Sequence, residues 1–275
     1  MRLRGDVVAT ERTVPVMRGR IDMNKSILVI AGSDSIAGAG IEIDIKTAAA
    51  HCIYATCAIT SVTSQNMLGV HAIQGIHPDV VASQIRAVFD DVPPSAVKIG
   101  MVGSRDIAYG IRVGLQAYPE VPVVLDPVLV ATSGGSLADD DAVNFLISVL
   151  APLATVITPN LPEASALTGI EISDGDSSAE AAKALRDRGV GNVLIKGGHL
   201  SPDESSDTCV DRLYLADGSM RSFEHPRLSG EYHGTGCSLS TAIACNLASG
   251  MDIADAVKAG TDFLHEVLEI GRAHV

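Results

Sequence analysis

The chain has 275 residues, enough for one large or two small α/β domains with a sizeable core. A net charge of −13 argues against nucleic acid or an anionic membrane as a general partner, and no apolar run approaches the roughly 20 residues a membrane span needs. The five cysteines, at positions 52, 57, 209, 237 and 245, are odd in number and hold no C-x-x-C pair, which suits reduced thiols in the cytoplasm rather than a disulfide framework or a zinc site.

Residues 1–25 mix five arginines and one lysine with Asp6, Glu11 and Asp22 and lack the apolar stretch of a secretory signal. They are expected to be a poorly ordered extension, or a start assigned too early with Met23 the true one. The body begins with an apolar, β-branched strand at Ile27–Ala31 and a helix over Ile41–His51. Strand-like Ile53–Thr60 follows, then a polar patch and a short outlying strand at Val70–Ile76. Pro78–Val88 reads as a helix with proline in its first turn. Brief apolar runs at Val97–Met101, Val123–Leu125, Thr155–Ile157 and Val193–Ile195 have turn residues around them and helix-length stretches between them. Arg212–Leu215 and Met220–Phe223 flank Ala216-Asp217-Gly218-Ser219, a hairpin signal at a sheet edge. Two helices follow, Cys237–Ser249 and Ile253–Ile270, with Gly250 ending the first and Asp252 capping the second; Gly271–Val275 are expected to fray. This alternation predicts a single α/β domain over 26–275, a mostly parallel sheet with helices on both faces.

Open parallel sheets bind ligands beyond the carboxyl ends of their strands, so the polar residues ending each strand carry the functional information. The most telling stretch is His233-Gly234-Thr235-Gly236-Cys237, which opens a helix. Its glycines allow close backbone approach, and the unpaired N–H groups and positive dipole end of the helix hold an anion. Gly234, Thr235 and Gly236 are therefore candidates for an anion hole. Cys237 stands in the first helical turn, where the same field favours a thiolate. A plain turn into a helix has the same local pattern.

The Gly-rich loop Gly32–Gly40 also joins a strand to a helix, but it fails the G-x-G-x-x-G spacing, and the P-loop pattern is absent. Asp126 ends one strand, and Asn160 and Glu163 follow another. Their oxygens are of the kind Mg²⁺ prefers, with water and nucleotide phosphate filling its other positions; Asn160 and Glu163 equally fit a helix capping box. Lys196, next to Gly197 and Gly198, can reach a phosphate or simply be an exposed strand-end lysine. Gln65 both donates and accepts, so it can read an amino-pyrimidine edge or be a loop residue. Met101, after Lys98-Ile99-Gly100, can flank a flat ring or fill the core.

Taken in order, these segments resemble the ribokinase-like superfamily and, within it, the hydroxymethylpyrimidine/phosphomethylpyrimidine kinases of thiamine biosynthesis. The likeness rests on Ile30–Asp34, Gly38–Ile41, Asp44–Thr47, Gln65-Asn66, Lys98–Met101, Leu125–Val128, Thr158–Ala164, Lys196–His199 and His233–Cys237, spread over about residues 27–265. It implies a three-layer ribokinase-like fold and a homodimer. It implies that Gln65 hydrogen-bonds the aminopyrimidine, with Gly32, Met101 and Val128 lining its pocket. Asn160 and Glu163 would organise Mg²⁺ with ATP, with Asp126 beside them. Lys196 would lean on the transferring phosphate, and Gly234 to Cys237 would form the anion hole, the cysteine standing where other ribokinase-like enzymes place an aspartate base. The implied reaction moves the γ-phosphate of ATP to the hydroxymethyl group of 4-amino-5-hydroxymethyl-2-methylpyrimidine, then phosphorylates the monophosphate to the diphosphate.

The chain departs from the family pattern at Ile36-Ala37-Gly38, usually Ser-Gly-Gly, at Glu42, commonly Gln, and at Tyr232, usually Thr. Bulk at Ile36 and Ala37 is expected to bear on the pocket mouth. Two rivals stand beside this reading. One is a pyridoxal kinase, whose substrate is also a flat ring bearing CH₂OH. The other is a catalytically silent pyrimidine-binding protein, which would be expected to have lost Cys237 or the metal-type residues present here.

Overall fold

The computed structural model describes residues 22–129, 140–197, 208–228 and 232–270. Its strands are β1 (Asp22–Asp34), β2 (Ile53–Asn66), β3 (Gly69–Gly75), β4 (Ala96–Ile99), β5 (Val123–Leu125), β6 (Val156–Ile157), β7 (Asn192–Ile195), β8 (Thr208–Tyr214) and β9 (Met220–Pro226). They form one sheet in the order β3-β2-β1-β4-β5-β6-β7-β8-β9. The six strands from β2 to β7 in that order run parallel, while β3 at one edge and β8 and β9 at the other are antiparallel. The sheet is thus mostly parallel, with antiparallel hairpins closing both sides.

The helices are α1 (Gly40–Ala50), α2 (Pro78–Asp91), α3 (Arg105–Leu115), α4 (Asp140–Phe145), α5 (Leu161–Thr168), α6 (Gly175–Arg186), α7 (Thr235–Ala248) and α8 (Ile253–Glu269). A π-helical turn at Leu146–Leu150 continues α4. The apolar run of β1 shows why the layers number three. Ile27, Val29 and Ala31 enter one core with Ile41 of α1, Leu239 and Ile243 of α7 and Val257 of α8. Leu28 and Ile30 enter the other with Ile85, Ile111 and Leu185 of α2, α3 and α6. Alternate residues of a strand face opposite sides, so a strand covered on both faces must be apolar throughout.

Two strands run further than their apolar residues suggested. β1 continues through Ser33 and Asp34, which pair with Val62 and Thr63 after a register shift. β2 continues to Asn66, and its polar end pairs with β3, Gln65 lying opposite Val70 beside another shift. The polar patch is therefore largely strand: its backbone pairs with β3 and, at Val62 and Thr63, with β1 as well, so its side chains need not enter a core. β1 also begins at Asp22, four residues before the expected body, and residues 1–21 lie outside the description, as do Gly198, His199 and Gly271–Val275. Among the described residues no helix is long and apolar enough to cross a membrane.

Candidate active site

The carboxyl ends of β1, β2, β4, β5, β6 and β7 deliver Asp34, Gln65, Lys98, Asp126, Asn160 and Lys196 to one edge of the sheet. Two helix N-termini meet there. Gly234, with φ +73°, leads into α7, and a Cβ on it would overlap the Gly38 carbonyl oxygen. Gly40, with φ +60°, opens α1, and a Cβ there would overlap the Gly32 carbonyl oxygen. Only glycine meets both demands, the left-handed backbone and the close approach. The Gly40 N–H faces Cys237 and favours its thiolate. The Gly-rich loop that matches neither nucleotide fingerprint is thus packed directly against the anion-hole turn.

Two carboxylates given no site role from sequence shape that loop. Asp34 is buried and accepts the N–H groups of Ile36 at 3.1 Å, Gly38 at 3.0 Å and Ala39 at 2.9 Å. Glu42 accepts Ser33 Oγ at 2.6 Å and the Asp34 N–H at 2.8 Å. An aspartate heading a Gly/Ser loop is a local signal for such capping. Ala37 adopts φ +57°, a left-handed conformation that disfavours a side chain, at a position where the resemblance expects glycine.

Beside this junction lies a charged cluster. Asp126 is buried; its Oδ1 accepts Lys196 Nζ at 3.0 Å and Thr158 Oγ1 at 3.2 Å, and its Oδ2 accepts Ser240 Oγ at 3.4 Å. Lys196 Nζ lies 3.9 Å from Glu163 Oε2. A Cβ on Gly236 would sit 3.3 Å from Lys196 Nζ and 3.7 Å from Asp126 Oδ2, so the anion-hole turn runs alongside the pair. Asn160 and Glu163 do form a capping box on α5: Asn160 Oδ1 accepts the Glu163 N–H at 2.8 Å, and Glu163 Oε2 accepts the Asn160 N–H at 2.8 Å. The Asn160 oxygen is thereby turned onto its own helix, while Glu163 also faces Lys196. Lys196 is placed by backbone pairing, its N–H donating to the Pro159 carbonyl at 2.9 Å.

Beneath Cys237 is a second pair that sequence reading missed. Lys98 Nζ lies 2.7 Å from Asp44 Oδ2, both side chains fully buried, and Thr241 Oγ1 donates to Asp44 Oδ1 at 2.7 Å. Lysine in an otherwise apolar strand was the available signal.

These charges set the protonation states. Burial raises the Asp126 carboxyl, but Lys196 and Lys98 outweigh it and hold the group below its usual range. Glu163 is raised, by burial first and by the nearby Asp126 charge as well, against Lys196. Burial would lower Lys196, yet Asp126 and Glu163 raise it. Cys237 departs from expectation. Burial pushes its thiol up to about 11; Lys98 opposes this, while Asp44 and Asp126 add to it. Desolvation and two carboxylates thus work against the thiolate that a helix N-terminus favours.

At the other end of the junction, a Cβ on Gly32 would meet Ser61 Oγ at 2.8 Å and Met101 Sδ at 3.2 Å. Met101 is buried, and its carbonyl accepts Thr60 Oγ1 at 2.7 Å. Gln65 is anchored to Ser35, whose Oγ accepts the Gln65 N–H at 2.9 Å and donates to the Gln65 carbonyl at 2.7 Å. Its Oε1 lies 3.5 Å from Thr63 Oγ1. Val128 is half-buried just beyond Asp126, with its N–H on the Asp126 carbonyl at 2.9 Å. Gln65 and Cys237 therefore hold the same loop, the first through Ser35 and the second through Gly40.

The phosphomethylpyrimidine kinase family model matches residues 34–274. The chain belongs to that family. Among the curated phosphomethylpyrimidine kinase relatives, the hydroxymethylpyrimidine/phosphomethylpyrimidine kinase of Haemophilus influenzae is 44% identical over 255 residues, covering 91% of this chain and 94% of its own. The crystal structure of phosphomethylpyrimidine kinase from Clostridium difficile superposes with a TM-score of 0.77 at 40% identity, covering 88% of this chain and 99% of its own. The pyridoxal kinase from Staphylococcus aureus, in complex with pyridoxal, gives a TM-score of 0.80 at 29% identity over 89% of this chain and 88% of its own. The three-layer α/β architecture is thus common to both kinds of kinase, and the relative and the structure of higher identity are both pyrimidine kinases.

Proposed function

We propose that this protein phosphorylates 4-amino-5-hydroxymethyl-2-methylpyrimidine at its hydroxymethyl group with ATP, and then phosphorylates the monophosphate to the diphosphate used in thiamine assembly. The observation that carries this is the junction of the α1 and α7 N-termini around Cys237, with Lys196 and Asp126 alongside and Gln65 tied to the same loop.

Phosphoryl transfer asks a protein mainly for alignment and charge neutralisation. Gln65 reads the amino-pyrimidine edge, and Gly32, Met101 and Val128 line the ring. The N–H groups of Gly234, Thr235 and Gly236 receive the anionic oxygens of the transferring group, and Lys196 neutralises their charge. The hydroxymethyl oxygen forms its bond to the γ-phosphorus as the bond to the β–γ bridging oxygen breaks, and ADP leaves with that electron pair. The hydroxyl proton passes to Cys237 once the thiol has given up its own proton to solvent water. Since that thiol stands at about 11 in the ligand-free site, it becomes a base only when the surrounding charge becomes more positive.

The residues present fit magnesium arriving with the nucleotide. Asp126 raises Glu163, so two carboxylates repel each other here and a cation would relieve them. Magnesium takes one or two carboxylates and fills its remaining positions with water and nucleotide phosphate. Asp126 and Glu163 would hold the ion, with Asn160 orienting Glu163, and the ion supplies charge neutralisation on the phosphates. We further propose a cytoplasmic homodimer without nucleic-acid or membrane partners. The net charge of −13 supports the lack of nucleic-acid and anionic-membrane partners, the odd cysteine count with no C-x-x-C pair supports the cytoplasm, and the homodimer rests on the family resemblance.

Incubation with MgATP and the pyrimidine alcohol, with products identified by mass, tests the reading: mono- and diphosphate should accumulate with ADP. The likeness to pyridoxal kinase makes pyridoxal the comparison substrate. A higher kcat/KM for pyridoxal would overturn the substrate assignment, and no ADP with either would favour a silent binding protein.

A further inference from the structure

Cys237 is held at two levels. At the upper level, the N–H of Gly40, the first residue of α1, faces the Cys237 side chain in the first turn of α7, and the Gly38 carbonyl just before it packs on Gly234. Four residues along each helix, hence one turn deeper on the same face, Asp44 of α1 accepts Thr241 Oγ1 of α7 at 2.7 Å. The lower contact repeats the upper one between the same two helices.

The lower level is also costly to build. Lys98 and Asp44 are fully buried, 2.7 Å apart, in a core where an apolar pair of similar volume would serve stability at least as well. Accommodating the lysine constrains β4 too, because a Cβ on Gly100 would lie 2.8 Å from Lys98 Nζ and 3.2 Å from Ala31 Cβ. Asp44 uses one oxygen for each partner, Oδ2 for Lys98 and Oδ1 for Thr241. Lys98 thereby fixes the carboxylate that Thr241 must find, and the sheet, α1 and α7 are joined at a single point beneath the reacting end.

We propose that Asp44 and Thr241, with Lys98 behind them, are positioning residues for the phosphoryl transfer. They set the two helix N-termini in register, so that the Gly40 N–H stays on Cys237 and the turn from Gly234 to Gly236 stays open toward the phosphate. None of the three touches substrate; they act through Gly40 and Cys237. This inference rests on the kinase reading for its activity measurement, but not for its structural one.

The test compares the full chain with its Thr241→Val and Thr241→Ser variants, since valine removes the hydroxyl at nearly constant volume and serine restores it. The expected result is that Thr241→Val lowers kcat at least tenfold with KM for both substrates within twofold, and that Thr241→Ser recovers most of the rate. Amide hydrogen exchange of Gly40, followed by NMR without substrate, should accelerate at least tenfold in Thr241→Val and stay near wild type in Thr241→Ser. Unchanged Gly40 exchange in Thr241→Val would overturn the proposal, as would wild-type kcat in that variant or equal rate losses in both. If wild type itself made no product, the kinase reading would fail while the exchange comparison still decided the clamp.

Discussion

Cys237 shows how one side chain can be placed by one force and titrated by others. The helix start puts its sulfur at the anion hole, yet burial and the carboxylates of Asp44 and Asp126 hold the thiol at about 11. A base must lose its proton before it can accept one, and below its pKa the thiolate fraction grows about tenfold per pH unit. The kcat/KM profile, which reports the free enzyme, should therefore still climb between pH 6 and 9, whereas a plateau by pH 7 would remove the cysteine from proton transfer. Cys237→Ala should lower kcat by about 10²–10⁴-fold, the usual worth of a positioned acid or base, with KM for ATP little changed in steady-state assays. Ala37 offers a test of a different kind. Its φ of +57° costs an L-residue about 1–2 kcal/mol, partly offset by the roughly 0.5–1 kcal/mol of chain entropy a glycine loses on folding. Ala37→Gly should raise stability by about 0.5 kcal/mol, read as a higher urea midpoint at constant slope.

Among the elements, α5 separates two roles that share one spacing. The capping box commits the Asn160 oxygen to the Glu163 N–H, while Glu163 also faces Lys196. Asn160→Ala should cost about 1 kcal/mol of stability, the usual worth of an N-cap, and raise the magnesium concentration for half-maximal rate only modestly. Glu163→Gln should raise that concentration at least tenfold, measured by titrating MgCl₂ at fixed ATP. Equal effects from both would place the asparagine on the ion itself. The long β1–β2 end shows the limit of reading strands from apolar runs, because Ser33 and Asp34 are held by backbone pairing with β2, and Ser61–Asn66 by pairing with β3. No local pattern of side chains announces that.

The whole molecule titrates in one direction at alkaline pH. Lys98, Lys196, Cys237, Cys245 and Tyr214 are all raised, for the lysines despite burial and for the thiols and phenol chiefly because of it. Each binds its proton more tightly folded than unfolded, so each contributes stability that is complete below its unfolded value and is lost as pH rises through the folded one. The first unfolded value met is that of cysteine, about 8.5. Urea-derived stability should therefore hold at pH 7–8 and decline from about pH 8.5 upward, where kcat/KM still climbs. A protein equally stable at pH 8 and 10 would contradict these shifts.

The order of strands and helices was legible along the chain because apolar runs, caps and turn residues act over a few neighbouring positions. So were the residues that end each parallel strand, since such sheets present their carboxyl ends to ligands, and Gly234 to Cys237, Asp126, Glu163 and Lys196 indeed gather at one edge. What could not be read there depends on groups far apart in sequence. The packing of Gly38 on Gly234, the Lys98–Asp44–Thr241 chain and the protonated state of Cys237 all arise where segments up to about 200 positions apart come within a few ångströms. Desolvation and Coulomb forces act through space, and until the chain closes on itself neither has a value.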